Sequence, residues 1–149
     1  GRELPHKVAA IAPVVGAMFG DEVKAGAPVA ALIITGEQDT RVPASGGNGS
    51  GRGLRSAPND RPYAPADYAL SYWLNSNACS GQAQAVSTPA YTLRQGTGCK
   101  APTLWYSLPE GGHAWPGGGR GTRRGDVPVE NFDASTLIWE FFSAQKLQR

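Results

Sequence analysis

Three short runs that are apolar on both faces constrain the fold of this chain more than any other feature. Val8-Ala-Ala-Ile-Ala-Pro-Val14 is closed by Gly16, and Val29-Ala-Ala-Leu-Ile-Ile-Thr35 is opened by Pro28 and closed by Gly36. The third, Thr103-Leu-Trp-Tyr-Ser-Leu108, lies between Pro102 and Pro109. A strand with one wet face alternates apolar and polar residues. A run that does not alternate, and is short, reads as a strand covered on both sides, as in a parallel sheet. The stretch from Ala85 to Leu93 leans towards β but is more polar, which puts it at an edge or on an excursion.

Two segments carry helical spacing. Ala66 to Asn75 follows Pro65, a good first-turn residue, and sets Leu70, Trp73 and Leu74 at i, i+3 and i+4. The last helix is predicted to start at Asp133 as its N-cap and to run through Leu137, Ile138, Phe141 and Phe142. Strands alternating with helices predict an α/β layer fold, with parallel strands flanked by helices. In such sheets the chemistry lies beyond the carboxyl ends of the strands, which selects the turns after Thr35 and after Leu108.

Composition narrows the function classes. The chain has 149 residues, 40% of them hydrophobic and 17% charged, enough for a packed core and too few charges for a disordered chain. Its size fits a single domain or part of one, here 1–149 taken as one partial domain. The 20 Gly and 12 Pro form no period and gather in loops, above all Ala44 to Pro58. A formal charge of +2 is too weak and scattered for a nucleic-acid partner. The one basic knot, Arg120, Arg123 and Arg124, sits among glycines with no aromatic between and reads as a solvated loop. No apolar run approaches the roughly 18–20 residues of a membrane span. The start, Gly-Arg-Glu-Leu-Pro without an initiator Met, suits a processed chain or a fragment.

Cys79 and Cys99 are the only cysteines, so neither a four-cysteine zinc site nor a C-x-x-C redox pair is available. A disulfide between them is the simplest reading, with Cα atoms about 4.4–6.8 Å apart; two separate buried thiols are the alternative. The bond would imply an oxidising compartment, hence a secreted or periplasmic protein.

Past the second apolar run comes Gly36-Glu-Gln-Asp39-Thr-Arg-Val-Pro43, and past the third Gly111-Gly-His113-Ala-Trp115-Pro-Gly-Gly-Gly119. A carboxylate just beyond a buried strand end can orient an imidazole, and a loop histidine between glycines can swing over a site above the sheet. Asp39 also fits an Asx-turn or a helix N-cap, and His113 a loop histidine satisfied by backbone. The other histidine, His6, lies beside Lys7 and reads as a surface residue. Acid then histidine, each behind its own strand, is the order in which α/β-hydrolase triads close.

On these residues the chain resembles the C-terminal part of the polyhydroxybutyrate depolymerase and feruloyl esterase-like branch of the α/β-hydrolases. The stretches that carry the likeness are Val8-Ala-Ala-Ile-Ala-Pro-Val-Val-Gly16, the Gly36–Pro43 turn, Gly111-Gly-His-Ala-Trp-Pro-Gly117 and Asp133-Ala-Ser-Thr-Leu-Ile-Trp-Glu-Phe-Phe142. The Gly-x-x-Asp-x-x-Val-Pro turn recurs in many hydrolases; the histidine loop and the final helix are more specific. The resemblance implies that Asp39 is the triad acid, His113 the general base and the Cys79/Cys99 pair a disulfide, with no metal and no cofactor. It implies a small-molecule or polymeric carboxylic ester as substrate: short-chain acyl, polyhydroxyalkanoate or feruloyl-polysaccharide esters. Trp115 becomes a candidate wall of the substrate pocket, or else a loop aromatic packed on the core.

One element of that pattern is missing. None of the ten serines stands on a Gly-x-Ser-x-Gly elbow, and Gly49-Ser50-Gly51 has Asn48 where the first glycine belongs. The expectation is therefore a chain that holds acid and base, with nucleophile and oxyanion hole elsewhere and the Val8–Val14 strand exposed as a sheet edge. Two other readings remain. One is a non-catalytic module binding sugar chains through Trp105, Tyr106 and Trp115. The other is a serine peptidase of the prolyl-oligopeptidase type, which shares the acid turn.

Overall fold

The computed structural model describes residues 1–50 and 61–147, a mixed α/β arrangement with one sheet and two helices among them. In chain order the elements are β1 (Ala10–Ile11), β2 (Ala30–Gly36), α1 (Ala66–Ser76), β3 (Gly81–Gln82), β4 (Val86–Ser87), β5 (Thr92–Thr97), β6 (Thr103–Leu108) and α2 (Ala134–Ser143). The sheet order is β1-β2-β6-β5-β3, with β4 also paired to β5. The part of the predicted Ala44–Pro58 loop beyond Ser50 lies outside the described residues.

The central strands form where both faces are apolar. Every residue of β2 is buried, and β2 pairs in parallel with β6 from Ala31↔Thr103 to Gly36↔Leu108. Alternation then divides the core. Ala31, Ile33 and Trp105 face Leu70, Tyr72 and Trp73, all from α1. Leu32, Ile34, Tyr106 and Leu108 face Phe132, Ala134 and the half-buried Leu137, Ile138 and Phe141 of α2. Full burial of one such aliphatic side chain contributes about 1.5–3 kcal/mol. Phe142, expected on the same helix face, is exposed. Asp133 does cap α2: its carboxylate accepts from the Thr136 amide at 3.0 Å and the Thr136 hydroxyl at 2.7 Å. Those two bonds, the amide's first, hold its carboxyl below the ordinary value.

Two expectations need correction. The run Val8–Val14 is regular strand only at Ala10–Ile11, where it pairs in parallel with Ala30 and Ala31, and it touches β2 again through a Val14↔Ile34 bridge. Pro13 between them has no N–H to give to a ladder and contributes only its carbonyl, which accepts from Ile34 N at 3.0 Å. As expected, this segment is the edge of the sheet.

The sheet is also not parallel throughout. β5 runs antiparallel to β6, and β3 and β4 antiparallel to β5. Only residues 98–102 separate β5 from β6, too few for the crossover of a dozen or more residues that a parallel connection needs. The predicted Ala85–Leu93 strand is in fact two strands, β4 and β5, joined by a turn in which the Thr88 hydroxyl accepts from the amides of Ala90 and Tyr91.

Cys79 and Cys99 are bonded, with Cα atoms 3.8 Å apart, closer than expected. Gly96 of β5 makes room for the bridge, since a Cβ there would lie 2.5 Å from one sulfur and 2.7 Å from the other.

Candidate functional site

The turns after β2 and β6 lie side by side because glycines let their backbones touch. A Cβ on Gly36 would overlap the carbonyl of Gly111, and one on Gly111 would come within 3.0 Å of Gly36 Cα. Hydrogen bonds then lace the two turns together. The Glu37 amide donates to Leu108 O at 3.0 Å, the Gln38 amide to Gly111 O at 2.9 Å, and the Gln38 side chain to Pro109 O at 3.2 Å.

From these turns Asp39 and His113, 74 residues apart, meet: Asp39 Oδ2 lies 2.8 Å from His113 Nδ1. The two oxygens of Asp39 divide their work. Oδ1 accepts from the Arg41 and Val42 amides, both at 2.8 Å, which is the turn-forming role an aspartate can play by itself. Oδ2 is left for the imidazole. The Asp39 side chain is 1% exposed and that of His113 30%, so the pair is dry at the acid and open at the base. A carboxylate oxygen only accepts, so in the neutral ring this contact places the proton on Nδ1 and the lone pair on Nε2. Among the described residues Nε2 has no hydrogen-bond partner, and no serine hydroxyl reaches His113. Ser50 sits instead against Thr40, its amide 2.6 Å from the Thr40 carbonyl.

His113 has a second anchor that the sequence did not reveal. Its backbone N–H donates to Asp126 Oδ2 at 2.6 Å. Asp126 follows an Arg- and Gly-rich loop and no strand leads into it, so neither periodicity nor strand-end position pointed there.

Trp115 is 47% exposed, and its indole N–H donates to Ser135 Oγ on α2 at 3.0 Å. A depression of about 630 Å³ does open beside Asp39, bordered by Glu37, Ser45, Asp67, Arg94 and Trp105. Trp105 and Tyr106 are buried on opposite faces of the sheet, so with Trp115 they do not form one stacking platform.

Comparison of the chain with protein-family models, curated proteins and solved structures found no match. The site stands on its own geometry. Among the described residues no group of three or more His, Cys, Asp and Glu is placed to hold a metal ion, and no helix is long and apolar enough to cross a membrane.

Proposed function

We propose that this chain supplies the acid and base of a Ser-His-Asp carboxylic ester hydrolase, with the serine and the oxyanion donors contributed from outside residues 1–149. The observation that carries the reading is the 2.8 Å contact between Asp39 Oδ2 and His113 Nδ1, with Nε2 unpaired among the described residues and the ring partly open. In the reaction, Nε2 takes the proton from a serine Oγ as that oxygen attacks the ester carbonyl. Asp39 fixes the tautomer and stabilises the imidazolium. The imidazolium then protonates the departing alkoxide, and water, deprotonated by the same nitrogen, releases the acid.

On this reading β1, β2 and β6 are the last parallel strands of an α/β-hydrolase sheet, and β3 to β5 an antiparallel addition at its side. The strand leading into the serine turn would pair with the free edge of β1. The substrates would be short-chain acyl, polyhydroxyalkanoate or feruloyl-polysaccharide esters. The Cys79–Cys99 bond supports a secreted or periplasmic protein.

The test is hydrolysis of a short-chain nitrophenyl ester by the chain alone and by the chain joined to any segment its gene encodes ahead of Gly1. Turnover should appear only in the joined form and vanish in its His113→Ala variant. Serine-dependent turnover by the chain alone would refute the external nucleophile, and turnover indifferent to His113 would refute the esterase reading.

A further inference from the structure

The catalytic reading leaves unexplained what holds His113. Among the described residues its ring has one hydrogen-bond partner, Asp39, but its backbone sits in a loop of glycines. A loop imidazole so placed has several rotamers and two tautomers to choose among, and only one combination points Nδ1 at Asp39 with Nε2 outward. Something must restrict the backbone from which the ring hangs.

Three observations converge on Asp126. Its Oδ2 accepts the His113 amide proton at 2.6 Å, a charged acceptor on a backbone N–H, the stronger kind of hydrogen bond. Beside it, Gly112 has no room for a side chain, since a Cβ there would lie 2.8 Å from that same Oδ2. The two glycines before the histidine thus serve different neighbours: Gly111 admits the Gly36 turn and Gly112 admits the Asp126 carboxylate.

The third observation is that the loop carrying Asp126 is folded by its own arginine. Arg120 Nη2 donates to the carbonyls of Arg123 at 2.9 Å and Gly125 at 3.1 Å, and Nε donates to Gly125 O at 3.2 Å. The Gly125 amide closes a turn onto Thr122 O at 3.1 Å, and the Gly117 amide pins the base of the excursion to Val129 O at 2.8 Å. So part of the basic knot that reads in the sequence as a solvated loop is an internal brace, and the residue after the braced carbonyl is Asp126.

We propose that Asp126, presented by the Arg120-braced loop, is a positioning residue that holds the His113 backbone so that the ring meets Asp39 with Nδ1. The inference rests on the Asp39–His113 relay proposed above and adds a second carboxylate to it. Asp126 acts through the backbone and touches no reacting atom.

The experiment is a long-range ¹⁵N–¹H spectrum of the imidazole nitrogens, recorded with His113 neutral in the intact chain, for the wild type and three variants. In the wild type and in Asp126→Asn, which keeps an oxygen acceptor, the Nδ1–H form of His113 should dominate. In Asp126→Ala the Nε2–H form should replace it, with far-ultraviolet circular dichroism unchanged. Asp39→Asn separates the two claims. If that variant leaves the His113 ring signals as in the wild type, the relay reading falls whatever Asp126 does. If Asp39→Asn shifts them and Asp126→Ala does not, the relay stands and the positioning role is overturned. Should Asp126→Ala fail to fold, amide exchange in the wild type decides. His113 N–H exchanging at least ~10-fold more slowly than in an unstructured peptide supports the clamp, and exchange at the unstructured rate overturns it.

Discussion

Replacing Asn77 by Ala tests how the sheet that carries the site is tied to α1. Asn77 ends the helix, is 0% exposed, and binds Val29 just ahead of β2 and Thr103 at the start of β6. Its Oδ1 accepts from the Val29 amide at 3.0 Å, and its Nδ2 donates to Val29 O at 2.9 Å and to Thr103 Oγ1 at 2.8 Å. Truncation to Ala leaves the Val29 N–H buried with no acceptor, which costs about 1–3 kcal/mol, and a weakened carbonyl and the small cavity add to that. The Thr103 hydroxyl keeps a long contact to Ala101 O at 3.5 Å, so little is charged to it. The expected loss is about 3 kcal/mol, a large part of the stability of a single domain. Urea unfolding without reductant, followed by the fluorescence of buried Trp73 and Trp105, reads it out. With m of ~2 kcal/mol/M the midpoint should fall by about 1.5 M. Asn77→Asp keeps the acceptor for Val29 N–H but turns a carboxylate oxygen towards Val29 O, so it should be no less harmful. A loss below ~1 kcal/mol in Asn77→Ala at unchanged m, or a harmless Asn77→Asp, would refute the reasoning.

Other perturbations test separate links. Gly36→Ala forces the two turns apart against the Gly111 carbonyl; it should cost about 1–3 kcal/mol and disturb the His113 ring resonances more than those of His6. Thiol titration of the denatured, unreduced chain should find no free thiol, and reducing the Cys79–Cys99 bond should lower stability by roughly 3 kcal/mol; two titratable thiols before reduction contradict the pairing. The Ser76 hydroxyl is buried at the end of α1 with no hydrogen-bond partner among the described residues, so Ser76→Ala should raise stability by about 1 kcal/mol, and a clear loss would mean that the hydroxyl is satisfied.

What was legible in the sequence follows from what leaves a pattern. Val29–Thr35 and Thr103–Leu108 announced themselves because both faces of the sheet are covered there, and Asp39 and His113 because each follows such a strand. Helix α1 was visible through the spacing of Leu70 and Trp73, and α2 through Asp133. Most of the antiparallel β5 was hidden, because Thr92-Leu-Arg-Gln-Gly-Thr97 has no fully buried residue and carries no apolar run. Pro13 shortened β1 in a way that hydrophobicity alone does not register. The place of Trp115 beside His113 is legible in the sequence; the bond from its indole to Ser135 is not. Asp126 left no trace because its partner is a backbone amide, which imposes no residue type on the position it comes from. The Cβ spaces at Gly36, Gly111 and Gly112 are three-dimensional facts; in the sequence they are only glycines.

In the proposed function Asp39 and His113 act as one unit with the basic nitrogen facing outward. The ¹⁵N shifts of the two ring nitrogens of His113, measured in the wild type and in Asp39→Asn, test it most directly. The neutral wild-type ring should show a protonated Nδ1 with a strongly downfield proton and an unprotonated Nε2, and the variant should lose that downfield proton. A protonated Nε2 in the neutral wild-type ring, or identical spectra for the two proteins, would contradict it.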